Sequence, residues 1–175
     1  MTISMQVAMC RFVDKLKEIY SLSSPIDIEN FVKNSLKGSI DEINSLPIEI
    51  SGRVIKRGES FCIQIRKEES SERKRFTIAH ELGHLFFDMG YLTDSKKWSS
   101  LADGSSYDRS MYINDSESIA NSFAAELLMP KDEYLKQFHA NIKESMVNME
   151  PIAKHFKVSI DAAITRGKWL GLISW

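Results

Sequence analysis

Cysteine is scarce in this chain: Cys10 and Cys62 are the only two among 175 residues. Two cysteines make no disulfide framework, and without a CxxC spacing they form neither a thiolate zinc site nor a redox pair. Both read as small core hydrophobes in a reducing compartment. Long apolar runs are lacking as well. None approaches the roughly 18–20 residues that cross a bilayer, and residues 1–10 have no basic flank and are interrupted by Ser4 and Gln6, so they do not read as a signal peptide. An excess of either charge is also missing, with 23 Lys+Arg against 24 Asp+Glu. That balance excludes an overall electrostatic grip on nucleic acid or an anionic membrane and leaves room only for a local one. There is no internal repeat or low-complexity tract. The expectation is a soluble cytoplasmic protein of one-domain size, residues 1–175, with a core over 1–130 and a helical C-terminal part over 131–175.

The hydrophobic spacing divides the chain. Met5, Met9, Phe12, Val13, Leu16, Ile19 and Tyr20 recur at helical spacing, with Asp14, Lys15, Lys17 and Glu18 opposite, which predicts an amphipathic first helix ending at Ser23-Ser24-Pro25. Asp27 can cap a second helix through Phe31, Val32 and Leu36, with Gly38 as its stop. From Leu46 the pattern alternates. Residues 47–50 and 52–55, then 61–65 after the Arg57-Gly58-Glu59 turn, predict a small antiparallel sheet. The mixed charges of residues 68–75 read as a solvated loop and first helical turn capped by Ser70 or Ser71. Residues 77–89 are apolar around most of a helix and therefore buried. Residues 90–116 are polar and longer than an ordinary connection, suggesting a lid or substrate-facing loop. Residues 116–129 return to helix and stop at Pro130, and shorter helices follow near 131–138, 149–156 and 160–169.

The chemistry concentrates in His80-Glu81-Leu82-Gly83-His84. Histidines at i and i+4 share a helical face, so two imidazoles can converge on one zinc ion, while Glu81 can reach the water activated there. The flanking Thr77, Ile78, Ala79, Leu82, Leu85 and Phe86 are uncharged. Burying two imidazoles and a carboxylate among them costs several kcal/mol unless something compensates, and a metal compensates all three. A hydrolytic zinc site needs a third protein ligand. The next helix offers Asp115, Glu117 and Glu126. Asn121, four residues after Glu117, can accept the Nδ1–H of a ligating histidine. Glu126 lies nine residues from Glu117, half-way around the helix, so the two cannot share the metal, and Glu126 is the chief rival for the role. Ala120, Ala124 and Ala125 allow this helix to lie close to the histidine helix.

Two separated blocks carry a resemblance. Arg75-Phe76-Thr77-Ile78-Ala79-His80-Glu81-Leu82-Gly83-His84-Leu85, followed by Glu117-Ser118-Ile119-Ala120-Asn121-Ser122-Phe123-Ala124-Ala125-Glu126-Leu127-Leu128-Met129-Pro130, resembles the ImmA/IrrE family of metallo-endopeptidases. Residues 152–159, with Ala162-Ala163 and residues 166–172, are similar to that family's helical tail. The resemblance implies a gluzincin-like zinc peptidase with His80, His84 and Glu117 as ligands and Glu81 as general base. It also implies a cytoplasmic helix-turn-helix repressor or antitoxin-like regulator as substrate or partner, often in phage, mobile-element or stress-response operons.

Tyr107, Arg109 and Tyr112 in the long loop are candidate oxyanion stabilisers. Residues 149–169 resemble a helix-turn-helix, with Lys154, Lys157, Arg166 and Lys168 as its basic residues, but their apolar partners favour packing on the core over direct nucleic-acid binding. The expected fold is α+β: a small antiparallel sheet on a zincin-like helix pair, with a helical C-terminal subdomain. Two other functions stand beside peptide hydrolysis. One is a toxin-like or scaffold partner whose metal site is not catalytic, and the other is a DNA-binding regulator acting through the tail.

Overall fold

Met9, Val13 and Leu16 lie on one side of the first helix and are buried, so the amphipathic N-terminus folds as α1 (Ile3–Tyr20) with that side inward. Ile19, from the same expected stripe, faces solvent at the last turn. The structure, a computed structural model, describes residues 3–44, 46–47, 50–107, 115–144 and 146–174. Helix α2 (Ile28–Asn30) starts at Asp27, whose carboxylate accepts the Asn30 N–H at 3.0 Å, and it continues as a π-helical stretch over Phe31–Ser35.

The predicted hairpin is present. Strands β2 (Gly52–Arg57) and β3 (Ser60–Arg66) pair antiparallel from Gly52↔Ile65 to Arg57↔Ser60, around a turn where Gly58 takes φ +57°. A third strand was not expected. β1 (Ser39–Ile43) pairs parallel with β3, from Ser39↔Cys62 to Ile43↔Arg66, giving the mixed order β1-β3-β2. As a partly exposed edge strand of sequence Ser-Ile-Asp-Glu-Ile, it carries too little apolar alternation to announce itself. Of the residues 47–50 read as β, Pro47 and Ile50 lie outside the strands. The Ile50 N–H donates to the Pro47 carbonyl at 3.1 Å, and Arg66 Nη2 donates to the carbonyls of Pro47 and Ile50 at 2.7 Å and 3.0 Å. Ile48 and Glu49 lie outside the described residues.

Ser70 caps α3 (Ser71–Phe87), its hydroxyl accepting the Arg73 N–H at 3.3 Å, so most of the charged stretch is already helical. The long loop contains a short helix, α4 (Ser95–Ser100), capped by Asp94. Helix α5 (Asp115–Leu128) then packs along α3, and α6 (Lys131–Ala140) follows Pro130. A two-residue-strand hairpin, β4 (Ile142–Lys143) with β5 (Met146–Val147), leads to α7 (Met149–Phe156) and α8 (Ile160–Trp169). The result is the expected α+β architecture, with a small sheet and a helical C-terminal part flanking the α3/α5 pair.

Two contacts set how closely these helices meet. A Cβ on Gly83 would lie 2.8 Å from Ala120 Cα, so α3 and α5 touch where neither carries bulk. An aromatic cluster flanks this contact: Phe123 of α5 meets Phe86 and Phe87 of α3 at 5.5 and 5.7 Å, and Phe12 of α1 packs on both, at 5.5 and 5.3 Å. At the other end, Glu126 is ion-paired with the buried Arg166, whose Nε also donates to the Met129 carbonyl at 3.1 Å. This pair ties α8 to α5. Arg166 is therefore a core residue and not a surface cation. Tyr134 is fully buried beside Phe156, donating its hydroxyl to the Ala163 carbonyl at 2.5 Å, and burial pushes its phenol up to about 12.

A Gly83→Ala substitution should force the helix pair apart. Overpacking against a backbone atom predicts a loss of about 1–3 kcal/mol in urea-induced unfolding, whereas an exposed helical glycine would gain stability from alanine.

Candidate metal centre

Helical spacing brings His80 and His84 together on α3, and the close α3/α5 contact adds Glu117 from the first turn of α5. The two Nε2 atoms are 3.0 Å apart. Glu117 reaches His80 Nε2 through Oε2 and His84 Nε2 through Oε1, each at 3.3 Å. His80, His84 and Glu117 form the group, among the described residues, whose ligand atoms lie close enough together to hold a metal, all within 4.8 Å of one another. His84 is fully buried and His80 is 7% exposed, while the Glu117 side chain is 30% exposed. Glu117 is thus the most exposed of the three.

The outer nitrogens of both rings are fixed. His80 Nδ1 lies 3.0 Å from Asn121 Oδ1, and His84 Nδ1 lies 2.8 Å from Asp88 Oδ2. Both partners present acceptors, so each Nδ1 donates outward and each Nε2 faces the centre of the group. Two imidazole nitrogens and a carboxylate then converge at 3.0–3.3 Å, where a cation between them would be bound by all three. A tetrahedral ion with bonds of roughly 2.0–2.1 Å separates its ligand atoms by about 3.3 Å. The donor set therefore fits a divalent metal that accepts nitrogen and oxygen.

Glu81 is 2% exposed and faces the sheet side of α3. A Cβ on Gly52 would come 2.5 Å from Thr77 Cγ2 and 3.4 Å from Glu81 Cγ. The start of β2 thus presses on the helix beside this carboxylate, and only glycine allows that approach.

The remaining expected residues separate. Glu126 is committed to Arg166 and the Lys131 N–H, away from the histidines, which removes it as a rival ligand. Tyr107 reaches the site, its ring stacked on His84 with centroids 4.0 Å apart and planes at 13°. Arg109 and Tyr112 lie outside the described residues. Asp88 was missed, although the i+4 step that links His80 to His84 also links His84 to Asp88. It is further held by Ser116, whose hydroxyl donates to Asp88 Oδ2 at 2.5 Å.

The fold and this three-residue group define a metallopeptidase-like helix pair. The chain belongs to the family described as IrrE N-terminal-like domain (Peptidase_M78), which its sequence matches over residues 45–167, and the family is one of metallopeptidases. Among solved structures, a Mycobacterium tuberculosis transcriptional regulator is similar in fold, with a TM-score of 0.58 at 15% identity over 94% of this chain. The chain spans about half of that regulator, 46% of its length. No curated protein matches the sequence.

Removing an outer partner should loosen metal binding without touching a ligand. For Asp88→Ala and for Asn121→Ala the expected loss of zinc affinity is about 10- to 100-fold, measured by competition with a chromophoric chelator. Wild-type affinity in both variants would contradict the role given to these contacts.

Proposed function

We propose that the protein is a cytoplasmic zinc-dependent endopeptidase that cleaves a helix-turn-helix transcriptional repressor or antitoxin-like regulator. The observation that carries this reading is the buried Glu81, one residue from His80 and on the same helix as both histidines, beside a three-residue metal group. A purely structural site has no use for a base. Such sites are commonly closed by four protein ligands, whereas three leave a position for water or substrate.

His80, His84 and Glu117 would hold the ion. Bound there, zinc supplies a Lewis acid that polarises a peptide carbonyl and lowers the pKa of a coordinated water toward ~7. The chain's own residues do the rest. Asn121 and Asp88 hold the imidazoles in the tautomer that presents Nε2. Glu81 accepts the proton of the attacking water and delivers it to the amine that leaves. The partly exposed side of Glu117 gives an extended peptide its approach.

Support for the substrate class comes from family membership, and two further features agree with it. No helix among the described residues is long and apolar enough to cross a membrane. The tail offers little to nucleic acid, because Arg166, one of its four basic residues, is buried in an ion pair.

The test is Glu81→Gln. The variant should bind zinc as the wild type does, yet cleave a helix-turn-helix repressor encoded beside it at least ~10²-fold more slowly. Fragments would be followed by mass spectrometry with and without a chelator. Wild-type cleavage by Glu81→Gln would falsify the assignment of the base.

A further inference from the structure

Lys56 is a buried lysine whose ammonium is held by carbonyls. It is 5% exposed, and its ammonium donates to the carbonyls of Trp98 at 2.8 Å and Leu101 at 2.9 Å while sitting 4.8 Å from the centre of the Trp98 ring. Those carbonyls close the C-terminal end of α4, where a cation is favoured. The chain leaving α4 then runs along the edge of β2 that does not face β3. Lys56 anchors it a second time through its backbone: its N–H donates to the Ser105 carbonyl at 2.8 Å, and its carbonyl accepts from Gly104 at 3.0 Å. Asp103 Oδ1 accepts the Gly58 N–H at 2.8 Å, and Ser106 bridges to Ile55 in antiparallel sense. Residues 102–106 thus form a strap laid on the sheet. The residue the strap delivers is Tyr107, flat against His84.

We propose that Tyr107 is a positioning residue for His84, and that the strap and its anchor Lys56 exist to place it. A ligating imidazole needs two constraints. The hydrogen bond from Nδ1 to Asp88 lies in the ring plane and sets where Nε2 points within that plane, but it leaves the ring free to tilt about the bond. A parallel ring at 4.0 Å removes the tilt. His80 meets the His84 ring at 80° with centroids 4.6 Å apart. The tilt of His84 therefore also sets the space open to His80. The role belongs to the ring of Tyr107 and not to its hydroxyl, which separates it from oxyanion stabilisation.

The inference rests on the metal-binding reading of the site, and its test separates the two. Zinc is titrated into the full-length, chelator-stripped protein against a chromophoric competitor for wild type, Tyr107→Phe, Tyr107→Ala and Lys56→Met, with the melting temperature of each metal-free form recorded alongside. Tyr107→Ala should bind zinc about 10-fold more weakly with its metal-free melting temperature unchanged, and Tyr107→Phe should stay within about twofold of wild type. Lys56→Met should weaken zinc binding although Tyr107 is intact. Wild-type affinity in Tyr107→Ala overturns the inference alone, as does an equal loss in Tyr107→Phe, which would assign the effect to the hydroxyl. Unchanged affinity in Lys56→Met overturns the anchoring role. A wild-type chain that binds no zinc overturns the metal reading and this inference with it.

Discussion

The contact of Gly83 with Ala120 governs this structure. The histidines belong to α3 and the carboxylate to α5, so the distance between the two helix axes determines whether Glu117 can reach both Nε2 atoms at 3.3 Å. A single methyl group on Gly83 would meet the backbone of α5. The glycine between the histidines therefore has a structural cause that is independent of the metal. Phe12, Phe86, Phe87 and Phe123 pack the adjoining space, and the Glu126–Arg166 pair fixes the far end of α5. The same helix thus carries two acids with unrelated work: Glu117 toward the histidines, and Glu126, nine residues on and on the opposite side, toward the C-terminal helices.

A second constraint is electrostatic. His80, Glu81 and His84 are all under 10% exposed on the apolar second half of α3. Their burial is tolerable because each imidazole has a designated acceptor for its outer proton and because a cation fits between their inner lone pairs. Asp88 and Ser116 extend this network to the start of α5, so the helix that supplies Glu117 also helps orient His84. Stability and chemistry are coupled here: the contacts that organise the site also join the helices.

Much of this was legible in the sequence, and the legible parts share a property. Period and cap signals are local, so α1, α3, α5, α7 and α8 and the β2–β3 turn could be read from residues near one another in the chain. The histidine pair is local for the same reason, and Asn121 followed from its place one turn after Glu117. What could not be read depends on residues far apart. β1 is stabilised by parallel pairing with β3, about twenty positions away, and its own Ser-Ile-Asp-Glu-Ile gives no alternating signal. The place of Glu126 was decided by Arg166, forty residues on, which also changed Arg166 from a surface cation into a core one. Tyr107 reached the site through a strap whose anchor, Lys56, lies fifty-one positions before it. Asp88 is different: its i+4 step from His84 is local, but an acid at the end of a helix carries no sign of its own that it orients a ligand.

Metal binding at one defined point is the claim from which the peptidase reading, the tautomers and the positioning of His84 all follow. The most direct measurement is anomalous X-ray scattering at the zinc edge from crystals of the zinc-loaded protein. One strong peak is expected roughly 2.0–2.2 Å from His80 Nε2, His84 Nε2 and a Glu117 carboxylate oxygen. A fully loaded crystal whose zinc lies elsewhere, or is bound without Glu117, would contradict it.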